Sequence, residues 1–250
     1  MVIFGKTAPS AIKKKIMSER KQGRRSAQDA QQTKREILQI AAQLFCDLGY
    51  ERVSLRNISE KAGVSHSLIR HHFGSKENIW HNISDDLHVF IVKYVAVVDQ
   101  NMPQEYPSNV KLFEFAKRML AYMMTFKQPI QLIADAVRQE GTLLDYFIDR
   151  SGEIEDFVEG LVNAYNQDFP DAQMRMWDLK WQIIMYAHAA ASLTPFLKET
   201  WVDETEELDE CLVRHFMLFE DMLAAKLKIA PSCRATPKRV QDLVYDLTCP

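Results

Sequence analysis

Apolar side chains recur along this chain at helical spacing, and nowhere with the alternation of a strand. Ile37, Ile40, Ala41, Leu44, Phe45 and Leu48 fall three or four residues apart, which lines them up as one stripe on a helix. Thr33 and Glu36 form a T-x-x-E capping box that opens this helix, and Gly49 stops it. Leu55, Ile58 and Ala62 mark a short second helix capped by Ser54. A third runs from about His66 to His72, held inward by Leu68 or Ile69 together with Phe73. Ser75 caps a long fourth helix with a stripe of Ile79, Trp80, Ile83, Leu87, Phe90, Ile91 and Tyr94. Beyond Pro103 and Pro107, helices are predicted over 109–126, from Pro129 to about Glu140, and around 142–150 and 152–167. A long helix follows over about 172–193, which Pro195 ends or kinks. The last, over 205–228, carries Leu208, Cys211, Leu212, His215, Phe216, Phe219, Met222 and Leu223 on one face. The expected fold class is all-α.

The turn between the second and third helices is the most informative segment. Ala62-Gly63 closes one helix, and Gly63 supplies the positive φ that a helix C-terminus often needs. Val64 tucks between the helices, and Ser65 caps the next one. This is a helix-turn-helix, whose second helix lies in the major groove of DNA. The chain then divides into a flexible basic arm (1–32), a three-helix DNA-binding head (33–83), a larger helical body (84–230) and a loose tail (231–250).

Charge supports that division. Residues 1–82 hold 15 basic and 7 acidic side chains, whereas 83–250 hold 16 and 27, so a net +8 sits on a net −11. A basic end facing polyphosphate and an acidic end facing solvent or protein fit this asymmetry. Lys13, Lys14, Lys15, Arg20, Lys21, Arg24 and Arg25 either follow phosphates or a minor groove, or merely solubilise the arm. Cys46, Cys211, Cys233 and Cys249 show no zinc or disulfide pattern. With no leader-like start and no membrane-length apolar run, a cytoplasmic location is expected.

A recognition helix needs short or forked polar side chains near its N-terminus. Ser65, His66, Ser67, Arg70 and His71 supply them. Arg70 can donate two parallel hydrogen bonds to guanine, and the histidines can serve phosphates or bases. Lys76 lies in the first turn of the fourth helix, where the dipole already favours an anion, and is assigned to phosphate. Arg52, Ser54 and Arg56 are further phosphate candidates, although Arg56 can instead pair with a local carboxylate. His72 is expected to pack against the first helix rather than to touch DNA, because Phe73 beside it must be buried. His66, His71 and His72 have no acidic or Cys partner at ligand spacing, so no metal is expected. No catalytic triad context or phosphate loop is present, so neither a catalytic residue nor a cofactor is expected.

Residues 33–83 resemble the DNA-binding domain of the TetR family, the tetracycline-repressor-like transcription regulators. The matching residues are Thr33, Ile37, Leu38, Ala41, Ala42, Leu44, Phe45, Gly49, Leu55, Ile58, Ala62-Gly63-Val64-Ser65, Phe73, Ser75-Lys76-Glu77 and Ile83. The resemblance implies a DNA-binding head on a helical body that binds a small-molecule effector and forms a homodimer on a double-stranded operator. Many members carry Gly where this chain has Ser67, and a phosphate-contacting Tyr where it has Arg70. Arg70 takes over that contact by charge or turns to a base edge.

In the body, Phe113, Met119, Met123, Met124 and Phe126 can line a pliable apolar cavity or be ordinary core. The two long helices can pair with their copies through Trp181, Met185, His188, Leu212, Phe216 and Phe219, or close the monomer core. The reading favoured is a sequence-specific transcription regulator, a repressor released by an unknown effector. The competing readings are a helical small-molecule binder or enzyme with an incidental head, and a non-specific architectural DNA binder.

Overall fold

The structure is a computed structural model and describes residues 22–138, 142–149, 152–234 and 236–247. Among these residues there are eleven α-helices and no strand. The head contains α1 (Gln22–Leu48), α2 (Leu55–Ala62) and α3 (His66–Phe73), and α4 (Lys76–Gln100) runs from it into the body. The body adds α5 (Ser108–Thr125), α6 (Gln128–Arg138), α7 (Thr142–Asp149), α8 (Gly152–Asp168), α9 (Met176–Ser192), α10 (Thr194–Thr200) and α11 (Leu208–Leu227). None of the described helices is long and apolar enough to cross a membrane.

The start of α1 differs from the sequence expectation. Of the arm expected over 1–32, residues 1–21 lie outside the described residues, and Gln22 onward is helical. Thr33 caps nothing; its hydroxyl donates to the Asp29 carbonyl one turn back. The Ala, Gln and Arg residues before it are strong helix formers, so the helix runs through the capping signal. Its buried face is Ile37, Leu38, Ala41, Ala42 and Phe45, while Leu48 at its end is exposed.

Two apolar cores result. In the head, Ile37, Phe45, Ile58, Ile69 and Phe73 close around Ile79, Trp80 and Ile83 from α4. Leu132 and Ala136 from α6 and Leu143 from α7 complete the same core. In the body, α5 is apolar nearly all round and lies at the centre, packed against α4, α8, α9 and α11. α4 belongs to both cores, since its later residues Ile91, Tyr94, Val95 and Val98 are buried in the body.

The tail is not loose where it is described. Val240 is buried, and the turn Val240–Leu243 packs on α5 and α11. Arg118 of α5 donates to the Leu243 carbonyl at 2.7 Å, and its guanidinium lies over the Tyr245 ring. Arg234 pairs with Asp221 and reaches Glu220 of α11 at 3.4 Å. Glu220 is fully buried, and its Oε1 has no hydrogen-bond partner. Burial raises its carboxyl above the usual range, against the opposing pull of Lys117 and Arg234. A carboxyl raised by folding favours the fold while protonated, and that contribution is lost as pH rises through the folded value. Glu220→Gln is therefore expected to raise Tm at neutral pH, with the gain vanishing below about pH 4, where the unfolded carboxyl is also protonated. Thermal melts across that range check it.

Candidate nucleic-acid interface and apolar cavity

Three serines set the geometry of the head. Ser54 accepts from the Asn57 N–H, and the Asn57 side chain returns the bond to the Ser54 N–H, closing a capping box. Ser65 accepts from the Leu68 N–H, and Ser75 from the Asn78 N–H. Gly63 takes φ 66 at the end of α2, where its N–H reaches back to Glu60. Each short helix is thus closed at its N-terminus by a side chain, which fixes the direction in which α3 leaves the turn.

That direction turns Ile69 and Phe73 into the core and leaves Ser65, His66, Ser67, Arg70 and His71 exposed together on the outer face of α3. Arg52, Ser54 and Arg56 are exposed beside the start of α2. Arg56 pairs with Glu60 one turn on at 2.8 Å. His72 is half-buried, with its ring beside that of Phe73.

Lys76 departs from the expectation of a free phosphate ligand. Its ammonium donates to the Tyr50 carbonyl at 2.9 Å and sits 4.0 Å over the Tyr50 ring. The first turn of α4 faces the α1–α2 turn, so the lysine finds an internal acceptor and a π face before solvent. The other backbone group of the same residue is held from the body: the Tyr50 N–H donates to Asp135 of α6 at 2.5 Å. Asp135 is buried, and no motif in the sequence marks it.

An apolar cavity of about 110 Å³ lies in the body between α4, α5, α6, α8 and α9. His88, Met119, Met123, Pro129 and Ile133 are among its walls. Its polar edge carries the Lys180–Glu155 ion pair. Met119 and Met123 line it, whereas Phe113, Met124 and Phe126 pack in the core, the alternative left open for them. Phe113 is core beneath the Lys117 ammonium, Met124 is buried elsewhere on α5, and Phe126 packs on Tyr122. The sequence placed all five on one helix, and a helix offers only one side to a cavity.

The residues expected at a dimer interface also divide. Trp181 is 62% exposed and Met185 51%, with Trp177 and Phe196 on the same outward side of the α9–α10 segment or its end. His188 is half-buried beside Ser192. Leu212, Phe216 and Phe219 are buried in the body's own core, because the regular stripe of α11 faces α5. The outward apolar residue of α11 is Leu218.

The head is thus a capped helix-turn-helix with a polar outer face, carried by a helical body. Residues 37–83 match the family model described as bacterial regulatory proteins, tetR family. Over these residues the chain is similar to the DNA-binding head of that family. An HTH-type transcriptional regulator of Staphylococcus aureus is 28% identical over 100 residues, covering 40% of this chain and 50% of that protein. The chain thus spans about half the length of the curated relatives it matches. The fold is also similar to FadR from Bacillus subtilis in complex with stearoyl-CoA, at TM-score 0.55 and 13% identity, over 76% of this chain and 97% of that one. AibR in complex with isovaleryl coenzyme A and operator DNA aligns at TM-score 0.54 and 18% identity, over 77% and 97%.

Because the Lys76 ammonium is committed to Tyr50, Lys76→Ala is expected to cost about 1 kcal/mol of stability. Denaturant unfolding measures it. Stability equal to wild type contradicts the internal role.

Proposed function

We propose that this protein is a homodimeric, sequence-specific transcription regulator, a repressor that a small-molecule effector releases from its operator. The observation that carries the reading is the outer face of α3, where His66, Ser67, Arg70 and His71 stand exposed on a TetR-type head. Arg70 reads a guanine edge, and Ser54, Ser65, Arg52 and Arg56 contact the backbone around it. Two such helices on a two-fold dimer reach successive major grooves about 34–36 Å apart. The dimer face is the outward side of α9, where Trp177, Trp181 and Met185 recur every fourth residue.

The effector enters the apolar cavity. A cavity of about 110 Å³ is of the order that holds a benzene-sized guest. The effector class is therefore a small apolar group, such as a short acyl chain or an aromatic ring, with a polar end at Lys180, Glu155 or His88. AibR, whose fold is similar, binds a short acyl group as its coenzyme A ester, which supports this class. The effector acts only through its differential affinity for the DNA-competent spacing.

Selection of duplexes from random-sequence DNA, followed by anisotropy titration, tests the reading. A two-part site with half-sites one helical turn apart is expected, and a protein indifferent to every duplex refutes it. Arg70→Ala is expected to lose ~1–3 kcal/mol of discrimination at one base pair per half-site, measured with single-base variants of the selected duplex. Trp181→Asp is expected to give monomers by sedimentation and to weaken operator binding by about a hundredfold.

A further inference from the structure

The Tyr50 backbone is held from two sides by the two helices that also wall the cavity. α4 reaches it through Lys76 and lines the cavity through Ser84, His88 and Ile91. α6 reaches it through Asp135 and lines the cavity through Pro129 and Ile133. Ile133 and Asp135 are two residues apart, about 200° around the helix, so one faces the cavity and the other the head. The span is short on α6, roughly 3–9 Å along the axis, and roughly 12 Å on α4 from Lys76 to Ser84. Gly49 completes the arrangement: at φ 83 it has no side chain, and a Cβ there would stand 3.2 Å from Asp135 Oδ1. The turn between α1 and α2 is therefore tied at Tyr50 to both α4 and α6.

We propose that Asp135 is a positioning residue that couples the cavity to the DNA-reading head, by clamping the Tyr50 N–H from the body while Lys76 clamps its carbonyl from α4. This rests on the reading that the head binds DNA and the cavity takes the effector. A guest that spreads α4 from α6 pulls the two clamps in different directions. Tyr50 then loses one partner, and the α1–α2 turn shifts with respect to the body. Without Asp135 the head still folds on its own residues and on Leu132 and Ala136, but its pose no longer follows α6.

The test needs no identified effector. Met123→Trp fills the cavity from α5 and serves as a covalent guest. It is introduced into the wild type and into Asp135→Ala, in the full-length chain, with two readouts. Hydrogen exchange at the Tyr50 amide reports the clamp itself. Affinity for the selected duplex reports the coupling as a double-mutant cycle. In the wild type, Met123→Trp is expected to speed Tyr50 exchange and to change duplex affinity by about fivefold or more. In Asp135→Ala, Tyr50 exchange is fast from the outset, and the Met123→Trp effect on affinity falls below about twofold. Tyr50 still protected in Asp135→Ala overturns the proposal, as does an equal Met123→Trp effect in both backgrounds or none in the wild type. If Asp135→Ala does not fold, Asp135→Asn, which keeps one acceptor oxygen without the charge, is read the same way. Intermediate exchange and coupling are expected for it, and wild-type values for both overturn the proposal. A wild type that binds no duplex refutes the proposed function, while Tyr50 exchange still decides the clamp.

Discussion

The structure depends on a shared hydrophobic core: the helix-turn-helix head cannot close on its own residues. α2 and α3 are eight residues each, well below the length at which an isolated helix is stable in water. They persist because Ile58, Ile69 and Phe73 are buried, and that burial is completed by Trp80 from α4, Leu132 and Ala136 from α6 and Leu143 from α7. The orientation of α3 is thus set by the body as well as by the local caps. Any account of regulation follows from this, since a body that helps build the head's core cannot move without the head registering it.

α4 and α6 carry that dependence in different ways. α4 is one uninterrupted rod with Trp80 in the head core and Tyr94 stacked on Tyr122 in the body core. It transmits rotation and shift as a rigid element. α6 is shorter and touches the head through a mixed contact, two apolar residues and the Asp135 carboxylate. Apolar contacts tolerate sliding, whereas a hydrogen bond to one peptide N–H does not. The direction of a displacement is therefore specified at Tyr50, while the bulk of the adhesion comes from Leu132 and Ala136. On the far side of the body, Arg118 ties α5 to Leu243 and Tyr245 of the tail.

The head was legible because its determinants are local. A serine three residues before the N–H it caps and a glycine at a helix end are visible in a few letters, and Ser54, Ser65, Ser75 and Gly63 all act as read. Thr33 misled because the same letters occur inside a helix, where a hydroxyl bonds back to a carbonyl. The stripe of α11 correctly implied a buried face, but periodicity does not say against what, and Phe216 and Phe219 turned to α5 rather than to a second copy. Asp135 was out of reach because its partner lies 85 residues away in the chain. Lys76 was read from the dipole of its own helix, which leaves out the Tyr50 carbonyl supplied by another turn. What the sequence hides is the pairing of elements, and both the cavity and the Tyr50 clamp are pairings.

The proposed second copy follows from the outward side of α9. α9 buries Leu179, Ile183, Ala187 and Ala190 on one side while exposing Trp177, Trp181 and Met185 on the other. A helix apolar on both sides is stable in water only when both are covered, and a row of tryptophans is a large area to leave wet. Lys180 covers part of Trp177 with its ammonium, but Trp181 has no such cover among the described contacts. The cavity lies between α9 and the α4–α6 pair, so the exposed side of α9, the cavity and the Tyr50 clamp are joined through one set of packed helices.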